Sequence, residues 1–241
     1  LTRCRPPPQS NRTSRSRRSL RLMARPASLS RDRIVAAAEQ MLERGEGLTA
    51  RSIADELGCD AAALYRHVVS MDELLRHVGD SVLAAVDTRE RVDESWQESV
   101  VRICRSLRTV HLRRPRVAAL VQTAPTRMPN ELRITEALLR EFRRAGFGDQ
   151  DTADAYHAVI ELTIGSAAID AGLAGLGSAD RSAEYGRWRR AYAALDGDVH
   201  PHSVAVAGRL YKGSADRRFV LALEALVRGL ATVGEARHDR R

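Results

Sequence analysis

No apolar run in the chain approaches the ~18 residues that a membrane-spanning helix needs, so a transmembrane segment is excluded. Cysteine is scarce: Cys4, Cys59 and Cys104 are odd in number and form no C-x-x-C pair, the pattern of a reduced, cytoplasmic protein. Beyond Asp87 the alternating apolar–polar pattern of strands is missing as well. There is no nucleophile–base pair at a recognisable spacing, no cluster of metal ligands and no glycine loop following a strand. These absences leave little support for an enzyme, and neither a metal nor a cofactor is expected.

Positive charge is also absent from most of the chain, although the formal net charge is +8. Residues 1–25 contain eight arginines and no acid, which accounts for all of it, and the other 216 residues balance at 31 basic against 31 acidic. Residues 26–80 hold six arginines against ten acids, a net of −4. Any attraction to phosphate in that region must come from a few placed groups or from the arm before it. Ser16-Arg17-Arg18-Ser19-Leu20 has the look of a twin-arginine export signal, but Arg21, Arg25, Pro26 and Ser28 interrupt the apolar stretch that must follow. Export is excluded. Residues 1–22, rich in Pro, Ser and Arg, are expected to be disordered. Met23 follows directly, so residues 1–25 read either as a genuine basic arm or as a translated upstream segment.

What the chain does have is one small pattern repeated four times between residues 29 and 75: an apolar residue, a capping residue, and an apolar residue four positions after the cap. The pairs are Leu29-Ser30 with Ile34, Leu48-Thr49 with Ile53, Cys59-Asp60 with Leu64, and Val69-Ser70 with Leu74. Each predicts a helix start, in which the cap's oxygen takes an orphan N–H and the two apolar groups clasp across the entry turn. A first helix is expected over 31–44, stopped by Gly45-Glu46-Gly47; a second from Thr49 to near Leu57; a third from Asp60 to about His67; a fourth from Ser70, with Glu73 completing a capping box. Only Leu57-Gly58-Cys59 separates the second from the third. Two short helices turning on one glycine describe a helix-turn-helix, and hence contact with double-stranded DNA. Ile53, Ala54, Leu57 and Leu64 face the small core. Thr49, Arg51, Ala61, Ala62, Ala63, Tyr65, Arg66 and His67 are left to face outward, with alanine methyls suited to thymine methyls and Arg51, Tyr65 and His67 to base edges or phosphates.

Later segments carry helical stripes: 100–110, 138–142, a long one over about 152–171, and a last one over about 216–233. The last two suit a core or a helix–helix dimer seam. Residues 175–213, rich in glycine, are expected to form an irregular, mobile connection. The fold expected is all-α, with the arm at 1–25, a helix-turn-helix domain over 26–75 and a larger helical ligand-binding and dimerisation domain over 76–241.

The stretches Leu48-Thr49-x-Arg51-x-Ile53-Ala54-x-x-Leu57-Gly58 and Leu64-Tyr65-x-His67-Val68, followed by Asp72-Glu73-Leu74-Leu75, closely resemble the tetracycline-repressor (TetR) family of bacterial regulators. The resemblance implies DNA contacts from Thr49, Arg51, Tyr65 and His67, with Ala61 and Ala62 at base-facing positions. Met71 stands where family members usually carry a backbone-binding Lys, and the arginine arm is a candidate replacement. Downstream, His111-Leu112-Arg113-Arg114-Pro115, Glu141-Phe142-Arg143-Arg144-Ala145-Gly146-Phe147, Leu162-Thr163-Ile164-Gly165 and Asp216-Arg217-Arg218-Phe219 look like landmarks of that family's C-terminal domain. Such a domain implies a homodimer whose last long helices form a four-helix bundle. An acidic position of the family's metal-assisted drug site appears here as Ile169, so no tetracycline–magnesium binding is expected.

Candidate ligand-pocket residues are His111 and, on about one face of the 152–171 helix, Tyr156, His157 and Glu161; ordinary hydrogen-bonded or exposed side chains are the competing reading. Cys59 is read as turn packing, His200 and His202 as loop residues, and the glycines of 172–177 as a helix stop. The expected function is a regulator, most simply a repressor released from a near-palindromic operator by a small-molecule effector. The alternatives are a helical ligand carrier or enzyme that retains the DNA-binding module, and a sequence-indifferent binder driven by the arginine arm.

Overall fold

Each of the four caps opens a helix in the computed structural model, which describes residues 28–120, 125–174 and 176–238. Ser30 Oγ accepts from the Arg33 N–H at 3.3 Å and opens α1 (Arg31–Arg44). Thr49 opens α2 (Ala50–Leu57) in a reciprocal box with Ser52, each side-chain oxygen accepting the other's N–H at 3.0 Å. Asp60 Oδ1 takes the Ala62 N–H at 3.0 Å for α3 (Ala61–Leu64), and Ser70 Oγ the Glu73 N–H at 3.1 Å for α4 (Met71–Leu83). Gly45 and Gly58 close α1 and α2 at φ 81° and 65°, a region that disfavours side chains. The expectations for the arm at 1–25 lie outside the described residues.

Two local readings need correction. Three staples pack as expected, with Leu29, Leu48 and Cys59 against the core, but Val69 is 86% exposed and clasps nothing. Its neighbour Val68 takes the inward place instead, and the Glu73 carboxylate closes the turn by accepting the Val69 N–H. The third helix is also shorter than expected: α3 ends at Leu64, and the chain runs on to Val68 through bonds from the Arg66 and His67 N–H groups to residues three back, at 3.3 and 2.9 Å. That tighter winding is how an abbreviated helix end meets its carbonyls.

The remaining elements are α5 (Trp96–Arg113), α6 (Pro115–Ala118), α7 (Pro129–Arg144), α8 (Asp149–Ala174), α9 (Ser178–Ala193), α10 (Pro201–Val206) with a 3-10 turn at Ala207–Arg209, and α11 (Ala215–His238). α5 is the central helix, packed on α7, α8 and α11, with Ile103, Leu107, Leu138, Phe142, Val159, Phe219 and Leu223 buried between them. Trp96, Phe142 and Phe147 close one end as a ring cluster with centroids 5.6–5.9 Å apart. No strand occurs among the described residues.

The glycine-rich 175–213 segment is not irregular; α9 and α10 occupy most of it. Their cohesion comes from aromatic rather than aliphatic groups. Tyr185, Trp188 and Tyr211 interlock at centroid distances of 4.9–5.9 Å, and the Arg218 guanidinium lies 5.3 Å over the Tyr185 ring. The expected helix stop holds, since α8 ends at Ala174 and Gly177 caps α9. The His200–His202 loop reading changes in part: His202 lies in the first turn of α10, and both histidines are exposed.

The division expected after residue 75 falls inside α4, which is the mechanical link of the molecule. α4 packs on α1 and also on α5, α6 and α7. Asp80 of α4, 5% exposed, caps α7 from outside: Oδ2 accepts the Asn130 N–H at 3.1 Å and Oδ1 the Glu131 N–H at 2.9 Å. Arg133 of α7 returns the favour by donating to the Leu83 and Val86 carbonyls at the end of α4, at 3.1 and 3.0 Å, and to Thr88. A second link joins α1 to α6, where Arg114 pairs with Glu39 and the Arg116 guanidinium donates to the Glu43 carbonyl at 2.6 Å.

Candidate nucleic-acid interface and ligand cavity

The end of α3 and the start of α2 present the expected residues outward. Thr49, Arg51, Ala62, Tyr65 and Arg66 are exposed, while Ala61, Ala63 and His67, also expected outward, are half-buried. Arg51 and Arg66 have no ion pair among the described residues, whereas Arg44 is held by Glu46 and Glu56 at 2.5 and 3.1 Å. Tyr65 is half-exposed at 51%, so its hydroxyl is open to a phosphate oxygen. Thr49 is different: its hydroxyl donates to Ser52 Oγ at 3.1 Å while accepting the Ser52 N–H, so helix capping already uses it. The His67 carbonyl accepts from Arg31 Nε at 3.0 Å, which ties the turn after α3 to the start of α1.

A second site lies in the C-terminal half. His111 from α5 and Tyr156, His157 and Glu161 from α8 line one cavity of about 770 Å³, closed by Leu107, Ile134, Ile160 and Ile164. That volume suits one drug-sized molecule. Thr126, Glu131 and Thr135 also line it, and sequence reasoning missed all three. Thr135 shares a 3.0 Å hydrogen bond with the Tyr156 hydroxyl. No periodicity marks Thr126 or Glu131, because they reach the wall through the capping network around Asp80, where the single Thr126 hydroxyl proton is shared between Glu131 at 3.1 Å and Asp80 at 3.3 Å. Ile169 is not a lining residue and is 80% exposed on α8.

His111 is the most unusual group in this wall. It is 2% exposed, and neither ring nitrogen has a hydrogen-bond partner among the described residues. Burial alone pushes its pKa down to about 4, so the ring is neutral at pH 7. The unfolded chain holds a proton on this residue below its ordinary value of 6.5 and the folded chain does not until about 4. Stability is therefore expected to fall as pH drops through that window, by up to about 3 kcal/mol. Urea denaturation of wild type and His111→Leu from neutral to acid pH checks this: the variant's curve is expected to be flatter over that interval. Cys104, fully buried in α5, has its thiol pushed up to about 12 by desolvation and is chemically inert.

Helices alone among the described residues, with a capped helix-turn-helix at one end and a cavity-bearing bundle at the other, define the class of helix-turn-helix transcription regulators. The chain is a member of the tetracycline-repressor family: residues 34–78 match the family model for bacterial regulatory proteins of the tetR family, and 90–233 match that for the tetracyclin repressor-like C-terminal domain. It is 35% identical over 144 residues to an HTH-type transcriptional regulator of Saccharopolyspora erythraea, covering 59% of this chain and 61% of that one. The HTH-type transcriptional repressor DrrR1 of Streptomyces coeruleorubidus is 28% identical, over 58% of this chain and 53% of its own length. The matched region thus spans less than two thirds of both relatives. Among solved structures, apo ActR of Streptomyces coelicolor superimposes with a TM-score of 0.75 at 31% identity, covering 87% of this chain and 99% of that one. The complex of ActR with actinorhodin gives 0.77 at 29% identity, over 86% and 99%. Membership of a family of transcription regulators replaces the alternative of an enzyme that retains the module. Among the described residues no single helix is long and apolar enough to cross a membrane.

Proposed function

We propose that the chain is a homodimeric repressor that grips a near-palindromic operator through Arg51, Tyr65, Arg66 and His67, with Ala61 and Ala62 against the bases, and lets go when a small molecule fills the cavity. The observation that carries this reading is the placement of α4. It starts at the turn after α3 and ends locked by Asp80 and Arg133 to α7, whose first turn forms part of the cavity wall. A ligand that favours a shifted α7 therefore also favours a shifted α4, and it moves the protein off DNA only by that difference in affinity. Dimerisation is supported by the outer faces of α8 and α11, where Ile169 and Gly172 and Leu221, Ala222 and Ala225 are exposed. Small and aliphatic groups on two long helices allow close packing against a second copy. Two copies of α3 would then lie about 34 Å apart in successive major grooves.

Footprinting on the DNA beside the chain's own gene tests this. The expected result is salt-sensitive protection of one near-palindromic site by a dimer; a folded dimer with no specific footprint there overturns the proposal. Deleting residues 1–25 is expected to flatten the salt dependence while operator preference survives, since eight arginines add phosphate attraction without sequence readout. If preference disappears with the arm, the arm itself reads sequence.

A further inference from the structure

The cavity wall carries charge of one sign. Its carboxylates are Glu131 and Glu161, and among the described residues no Arg or Lys lines it. Of the arginines next in sequence to lining residues, Arg108 is buried against Asp170 and Ser166, Arg133 serves the carbonyls at the end of α4, and exposed Arg127 is not among the lining residues. Glu161 has no hydrogen bond or ion pair among the described residues, and Glu131 uses only Oε2, which accepts from Thr126 and from the Arg127 N–H at 2.6 Å. Half-buried Glu131 is less screened by water than exposed Glu161 and contributes the larger part of the field.

We propose that this cavity takes an organic cation with a flat, largely apolar body and a hydrogen-bonding group, and that it rejects carboxylates. The aliphatic walls hold the body, the Tyr156 ring offers a π face to the positive charge, and the two carboxylates neutralise it. The His111 ring, buried with both nitrogens unpartnered, supplies the hydrogen bond that fixes orientation. An anion in the same place meets two carboxylates with no Arg or Lys among the described lining residues, so charge complementarity selects against it. The proposal rests on the effector reading only for what binding does to DNA; the charge preference belongs to the cavity itself.

Fluorescence titration of the full chain, without DNA, with pyrenemethylamine, pyrenemethanol and pyrenecarboxylate separates charge from shape on one scaffold. The amine is expected to bind roughly tenfold or more tighter than the carboxylate, with the alcohol between them. Glu131→Gln combined with Glu161→Gln is expected to bring amine and carboxylate within about threefold of each other and to leave the alcohol unchanged, which controls for damage to the fold. A carboxylate that binds as tightly as the amine, an amine preference that survives the double substitution, or no binding by any of the three overturns the proposal. An amine that binds but never releases the operator refutes the effector reading and spares the ligand class. Release by some other compound from a chain that refuses the amine does the reverse.

Discussion

Arg51→Ala is expected to weaken specific operator binding by roughly ten- to a hundredfold, the 1–3 kcal/mol of a well-placed base or phosphate contact. The effect is large because few cations share the task. The region 26–80 has a net charge of −4, and Arg44 is consumed by Glu46 and Glu56. Arg51 lies at the exposed start of α2 with no ion pair among the described residues, so none of those acids competes for it. Tyr65→Phe removes one hydroxyl and is expected to cost less, about three- to tenfold. Mobility shifts on the footprinted operator, with circular dichroism to show that the variants stay folded, measure both. Unchanged binding by Arg51→Ala would place that guanidinium off the interface and transfer the phosphate contacts to Arg66 or the arm.

Asp80→Ala is expected to destabilise the folded chain by about 2–4 kcal/mol, more than an ordinary helix cap, because several partners lose their acceptor together. Asp80 is buried on α4 and receives the N–H groups of Asn130 and Glu131, the Asn130 side-chain amide at 3.0 Å and the Thr126 hydroxyl. Alanine leaves the first turn of α7 uncapped in a space that water does not readily refill. Asn at the same position keeps one acceptor oxygen and is expected to recover about half of the loss. Urea unfolding curves decide: a midpoint within error of wild type for Asp80→Ala would mean that the α4–α7 link contributes no net stability. The same variant should loosen the connection between cavity and DNA-binding end, since Thr126 and Glu131 belong to both the cap and the wall.

How much of this was readable beforehand differs from element to element. Ser30, Thr49, Asp60 and Ser70 each revealed a helix start because a cap is a local event, decided by one side chain and the N–H groups two or three residues on. Gly58 revealed the turn for the same reason. Five of the eight residues in the outward set around α2 and α3 followed from helical periodicity once those starts were known, whereas Ala61, Ala63 and His67 are half-buried. Val69 escaped because a staple needs its apolar residue to point inward, and the turn direction after α3 was set by Val68 entering the core. Helices α9 and α10 escaped because sparse aromatics, not an aliphatic stripe, hold them, and Tyr211 joins Tyr185 and Trp188 from more than 20 positions away.

The candidate cavity divides along the same line. Tyr156, His157 and Glu161 share a face by spacing along α8, and His111 stood out only through its family landmark; the structure brings all four to one wall. Thr126 and Glu131 became part of that wall through Asp80, about 50 residues earlier in the chain. By itself, then, the sequence determined the local events: the capped helix-turn-helix, the outward residues of α2 and α3, the all-helical class and the odd distribution of charge. Only the tertiary structure decided that α4 is clamped at both ends of one polar network, that His111 is buried without a partner, and that the cavity's ionised groups among the described residues are all carboxylates. Caps and periodicity act over a turn or two of helix, whereas a cavity's charge and a buried ring's missing partners depend on which distant elements pack together.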